Sequence, residues 1–288
     1  MAARRGPTFR RRQLGKELRG LRERNNLKIQ AVAAELGFSH TKLARVEIGE
    51  NDLPRVGDLV ALMDRYGLID KHDRETLLQL HRESLSGEPW TPYRHVMPSK
   101  MPTYRGLEQD ASSMRAFQPD VVFGLLQTEN YARSLYLNAK PVDETTTEYV
   151  ETNVRLRMER QELITRTDGP LKLRVIMDEA AVRRMVGSPA VMREQYDKII
   201  ELSSLDNVTI QILPHRVESY RAESNFAILD FPDALDPIVQ VDMPNTISVS
   251  DAEREVQAYG RRFDTMNGSA LAPSGTAEFL NQLAHEWT

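Results

Sequence analysis

Within the stretch AELGFSHTKLARVEIG (34–49), an imidazole, a hydroxyl and a guanidinium fall at His40, Thr41 and Arg45. On a helix, residues four apart lie one above the other, so Thr41 and Arg45 share a face. Leu43 and Val46 mark a different face, and if they are buried the three polar side chains point outward together. Their chemistry is that of contact with nucleobase edges. A guanidinium forks to O6 and N7 of guanine, a threonine meets a base edge or a thymine methyl, and an imidazole bonds an acceptor or a phosphate. Arg24, Lys28, Lys42 and Arg55, with Ser39, form the surrounding set suited to phosphate contacts that set register.

The elements that must position these groups follow from apolar spacing. Leu14, Leu18 and Leu21 predict a helix from Gln13, closed by Asn25-Asn26. Ile29, Val32, Ala33 and Leu36 predict a short second helix, with Gly37 where a left-handed terminating residue is wanted. Ser39 is an N-cap for the third helix, which Gly49 ends. Val56, Leu59, Val60, Leu62 and Met63 predict a fourth helix, and Arg74–Leu85 a fifth. Two short helices joined by a tight turn inside such a bundle make a helix-turn-helix, whose second helix enters the major groove of double-stranded DNA.

Charge is divided along the chain. The net value over 288 residues is −4, but residues 1–66 carry 14 Lys+Arg against 8 Asp+Glu. A basic head on an acidic body directs only the head toward a polyanion. The first 12 residues hold five arginines without periodicity and are expected as a disordered arm, lying in a minor groove or adding only non-specific attraction. No apolar run approaches the ~18 residues of a membrane span, and no apolar segment follows the basic start as a secretory signal requires. The absence of cysteine excludes disulfides, thiolate metal sites and a cysteine nucleophile, and fits a reducing cytoplasm.

Residues 86–104 contain four prolines and predict a linker between the bundle (13–85) and a larger body (105–288). In the body, helices are expected at 107–117, 127–138, 146–165, 179–186, 189–204, 251–266 and 274–286. Strands are expected at 171–177, 208–213, 226–231, 237–243 and 246–250. The close spacing over 226–250 implies antiparallel pairing. The fold class is therefore α+β: an all-α helix-turn-helix bundle followed by a mixed domain with a mainly antiparallel sheet.

The body shows no enzymatic signature. Its histidines have no H-x-x-x-H or zinc-ligand spacing, and there is no phosphate-cradling glycine loop and no G-x-S-x-G. No metal and no cofactor is implied, and the chain is expected not to be an enzyme. Asp178-Glu179 fits a helix cap better than an acid–base pair. His215, Tyr220 and Arg221 fall in a polar loop between two strands, either a contact site for an effector or partner, or simply a loop.

Residues 14–68 resemble the xenobiotic-response-element class of helix-turn-helix, related to phage repressors. The resemblance implies that His40, Thr41 and Arg45 are the base-contacting positions. Where that class opens its second helix with Thr-Gln or Ser-Gln, this chain has Lys28-Ile29, so Lys28 takes the phosphate contact. The stretches FQPDVVFGLLQTENYARSLY (117–136), RLRMERQELITR (155–166), 173–214 and FAILDFPD (226–233) resemble the uncharacterised C-terminal domain of many actinobacterial antitoxin-like regulators. Together these imply a DNA-binding transcription regulator, a homodimer, whose C-terminal domain dimerises and senses a small-molecule effector or a small cognate protein. The alternative is an antitoxin-like protein whose main role is to bind that small partner.

Overall fold

The computed structural model describes residues 6–87, 97, 100–217, 224–232, 235–243 and 246–286. The chain forms two compact units, the first comprising Met1–Pro92, Pro102–Asp110 and Asp233–Leu235, the second the remainder.

The first unit is helical: α1 (Pro7–Arg24), α2 (Ile29–Leu36), α3 (His40–Glu47), α4 (Val56–Arg65), α5 (Lys71–Ser84) and α6 (Met101–Asp110). Leu14, Leu18 and Leu21 form the buried stripe of α1 and pack with Val32, Leu43, Val46, Leu59 and Leu62 in one core. The Asn25 side chain donates to the carbonyls of Leu21 (2.9 Å) and Tyr66 (3.0 Å), tying the end of α1 to the end of α4. The α5 helix begins three residues before Arg74, because the Asp70 carboxylate caps it by accepting from the Asp73 amide.

The expected disordered arm is corrected over its described part: Pro7–Arg12 are the first turns of α1. Proline at the first helical position has no amide to lose and a φ suited to the helix, and Thr8 and Phe9 are buried. The arginines there are anchored within the unit. Arg10 pairs with Glu83 at 2.6 Å, and Arg11 bonds the Gly49 carbonyl at 3.0 Å and the Asp52 carboxylate. The expected linker is also shorter, since residues 101–104 open α6. At the far end of α6, Asp110 accepts the Gly6 amide at 2.8 Å, supplying α1 with the cap that glycine lacks.

The second unit contains β1 (Ser113–Gln118), a 3-10 turn (Gly124–Leu126), α7 (Glu129–Ala139), α8 (Thr147–Thr165), β2 (Lys172–Asp178), α9 (Glu179–Arg183), α10 (Pro189–Ser203) and β3 (Val208–Leu213). It continues with β4 (Phe226–Asp230), β5 (Ile238–Met243), β6 (Thr246–Ser250), α11 (Glu253–Ser269) and α12 (Pro273–Glu286). The six strands are ordered β3-β2-β1-β4-β5-β6. The β1–β2 and β2–β3 pairs are parallel; β1–β4, β4–β5 and β5–β6 are antiparallel. The fold class is thus α+β with a mainly antiparallel sheet. The helix expected over 107–117 is corrected: its second half is β1, a central strand.

One face of the sheet presents Phe117, Ile176, Leu213, Phe226, Ile228 and Val239 to Phe263 and Met266 of α11. The outer edge of β3 is closed by the chain itself. The Leu271 backbone amide donates to the Ile212 carbonyl and the Thr276 hydroxyl to the Ile210 carbonyl, both at 2.8 Å, while the Gln211 side-chain Nε2 donates to the Leu271 carbonyl at 3.0 Å. Among the described residues, no helix is long and apolar enough to cross a membrane.

Candidate nucleic-acid interface

Helices α2 and α3 meet at a turn that only two residues need to shape. Gly37 has φ +72°, the left-handed region that glycine enters without a Cβ penalty. The Ser39 hydroxyl accepts the Lys42 amide at 3.1 Å and satisfies one of the unpaired donors at the start of α3. Leu43 and Val46 are buried at 1% and 3% exposure, whereas His40, Thr41 and Arg45 are exposed. At about 100° per residue, Thr41 and Arg45 lie within about 40° of each other. Ala44 is small and half-buried beside them, and Ile48 is 39% exposed at the end of the helix. The sequence reading missed Ile48 as a surface group. Its signal was an apolar residue two positions beyond Val46, off the buried stripe and able to meet a thymine methyl.

The expected phosphate-contacting residues fall at distinct places. Lys28 is the N-cap of α2 and Arg55 the N-cap of α4; neither side chain caps its helix, and both are exposed. Arg24 is exposed in the last turn of α1. Ser39 is exposed and engaged as the α3 cap. Lys42 is half-buried, with its ammonium 3.6 Å from Asp58 and 4.6 Å from the centre of the Phe38 ring. It is therefore partly neutralised before any phosphate approaches. Arg45 is more open: its Nε is 4.0 Å from Glu50, a loose pair on an exposed side chain. Ile29, at the position where the resembled class has glutamine, packs against the core.

Two devices fix α3 against α1. The first is a buried ion pair: Arg22 Nε and Nη2 donate to the two Glu47 carboxylate oxygens at 2.7 and 2.9 Å, and Nη1 donates to the Leu27 carbonyl at 2.9 Å. Burial, with Glu47 alongside, pushes the Tyr66 phenol well above its ordinary range. The second is backbone proximity. A Cβ on Gly15 would sit 2.5 Å from the Val46 carbonyl oxygen and 2.6 Å from that of Glu47. Gly49, with φ +71°, lies so close to α1 that a Cβ would stand 2.6 Å from Arg12 Cα. Nothing in the spacing of the sequence marked Glu47 as buried, since it reads as a solvated acid near the end of a helix.

Of the candidate residues of the second unit, His215 lies among the described residues. His215 is exposed just past β3. Its amide donates to Glu179 at 2.9 Å, and its ring nitrogens lie 3.6 Å from Asp178 and 3.9 Å from Glu179. Tyr220 and Arg221 lie outside the described residues. Asp178 caps α9 by accepting the Ala180 amide at 2.9 Å. Burial raises the Glu179 pKa, but the His215 amide and the Arg183 guanidinium outweigh it and hold the carboxyl below its ordinary value. Arg183 also pairs with Glu286 at 2.8 Å.

A capped recognition-type helix following a glycine turn, inside a small helical bundle, defines a helix-turn-helix DNA-binding domain. Consistent with this geometry, residues 13–77 match the family model of a helix-turn-helix domain. Residues 101–282 match a domain of unknown function (DUF5753), and the chain belongs to that family. No curated protein and no solved structure matches the chain.

Proposed function

We propose that this protein is a sequence-specific transcription regulator that reads double-stranded DNA through His40, Thr41 and Arg45 of α3. The observation that carries this reading is the segregation on one eight-residue helix of a buried leucine and valine from an exposed imidazole, hydroxyl and guanidinium. Arg24, Lys28 and Arg55 supply phosphate anchoring around it, with Ser39 and Lys42 contributing at the helix start. One such helix covers too little surface for tight specific binding, so a homodimer on two half-sites is the natural working form. The larger unit supplies dimerisation and responds to a small-molecule effector or a small cognate protein, as in antitoxin-like regulators, and the His215 loop is where that contact is best sought. The chain's work is binding rather than catalysis, and its place is the cytoplasm.

The test uses a duplex selected from a randomised library and a scrambled control. Arg45→Ala weakens the selected duplex about tenfold to a hundredfold, the worth of one bidentate base contact, and barely affects the control. Lys28→Ala weakens both duplexes alike and reduces the salt dependence by about one counterion. Equal losses on the two duplexes for Arg45→Ala remove this residue from base contact.

A further inference from the structure

The two edges of the sheet are treated differently. The β3 edge is closed by Leu271 and Thr276, as described above. The opposite edge is β6, Thr-Ile-Ser-Val-Ser, which ends the sheet. Among the described residues, no backbone group outside β5 bonds to the backbone of Ile247–Ser250. A terminal strand presents a row of amides and carbonyls ready to pair, and edges that must stay single are guarded by charge, proline, bulges or cover. The β6 strand has no charged residue and no proline. It is β-branched at three of its five positions, and Ser248 at its centre is exposed.

We propose that β6 is where two copies of this chain join, strand against antiparallel strand, so that the sheet continues across a two-fold axis. The choice of a second copy as occupant rests on the reading of the protein as a DNA-binding dimer. The strand itself supplies the complementarity. With the axis through Ser248, Thr246 faces the partner subunit's Ser250, and Ile247 faces the partner subunit's Val249. Ser248 faces its own counterpart. Hydroxyl meets hydroxyl on one face and aliphatic meets aliphatic on the other, as an isologous contact requires. No charge opposes a like charge, and such cross-strand matching is what stabilises paired strands. The register also keeps the buried Ile247 on the same face of the sheet, the one opposite α11, in both copies.

The experiment measures the mass of the full-length chain by sedimentation over a dilution series. The wild-type chain is expected to dimerise. Ser248→Lys and Ser248→Glu, each placing like charges opposite at the axis of an interface, raise the dimer dissociation constant about tenfold. An equimolar mixture of the two restores a mixed dimer, which a merely damaged fold does not do. Because the natural chain has no cysteine, Ser248→Cys introduces a single thiol. Under mild oxidant it forms a disulfide-linked dimer, whereas Ser86→Cys, on an exposed site of the other unit, does not. If the lysine or glutamate variant folds poorly, the cysteine pair decides the matter. A wild-type monomer at every concentration overturns the proposal. So does a dimer indifferent to Ser248→Lys, or a Ser248→Cys chain that does not cross-link. Those outcomes leave the α3 reading intact, because Arg45→Ala and Lys28→Ala test that on DNA and do not depend on the mass of the chain.

Discussion

In the N-terminal unit, Arg24, Arg45 and Arg55 are exposed around α2 and α3, while Arg10, Arg11 and Arg22 are turned inward to Glu83, Asp52 and Glu47. In the C-terminal unit, three helix arginines are engaged by neighbouring side chains. Arg133 pairs with Glu129 at 2.7 Å and Glu151 at 3.0 Å, Arg157 donates to Gln127 at 2.8 Å and Tyr136 at 2.9 Å, and Arg183 holds two carboxylates. The difference separates two tasks for one residue type. An arginine already bonded to an acid is part of a frame and has little left for a phosphate, whereas an open one is available to a polyanion. The N-terminal unit contains both kinds, and Arg22 of the inner set holds α3, the helix that displays Arg45.

That division is tested most severely at the buried pair. Glu47→Ala leaves the Arg22 guanidinium buried without its carboxylate and is expected to lower the stability of the N-terminal unit by about 3–5 kcal/mol. Chemical unfolding followed by circular dichroism measures it. The double replacement Arg22→Met with Glu47→Leu recovers most of the loss, because apolar groups of similar size need no charge partner. A single variant as stable as wild type shows that the frame does not depend on this pair.

Next in size is Gly15→Ala. The added methyl meets two backbone carbonyls of α3, so α1 must move away, at a cost of about 1–3 kcal/mol. Thermal melting reports the loss, and affinity for a selected duplex falls with it as α3 loses its seat. The same change at Gly57, which has nothing within 4 Å of a Cβ, leaves the fold in place.

The smallest effect distinguishes the framing role of acids in the C-terminal unit. Glu179 has its pKa depressed in the folded state, so it contributes stability at pH values above the ordinary carboxylate range. That contribution is lost as pH falls through the lower, folded value. Glu179→Gln is expected to reduce stability near neutral pH and to flatten its acid dependence, read as denaturation midpoints across a pH series. An unchanged profile shows that the Arg183 and His215 contacts add nothing.

Much of the DNA-facing unit is visible in the sequence because its signals are local. Leu43, Val46, Gly37 and Ser39 lie within ten residues and each specifies its own conformation. The α1 start was obscured by the arginines of residues 10–12, although Pro7 carried the signal of a first helical turn. In the sheet, the antiparallel run over 226–250 follows from short connections between strands. The central strand β1 does not, because its partners lie far away: Phe117 aligns with Ile176 on one side and with Phe226 on the other. Its segment SMRAFQ also has no apolar alternation strong enough to exclude a helix. The burial of Glu47 was hidden for a related reason, since its partner lies 25 residues away.

The closure of β3 by Leu271 and Thr276 sets a rule for truncation. A chain cut before Leu271 loses both contacts and bares a second strand border in addition to β6. Two open borders on opposite sides of a single sheet would not limit strand addition to one partner. They would allow head-to-tail strand addition without a natural stopping point, which the Leu271 and Thr276 contacts preclude on the β3 side.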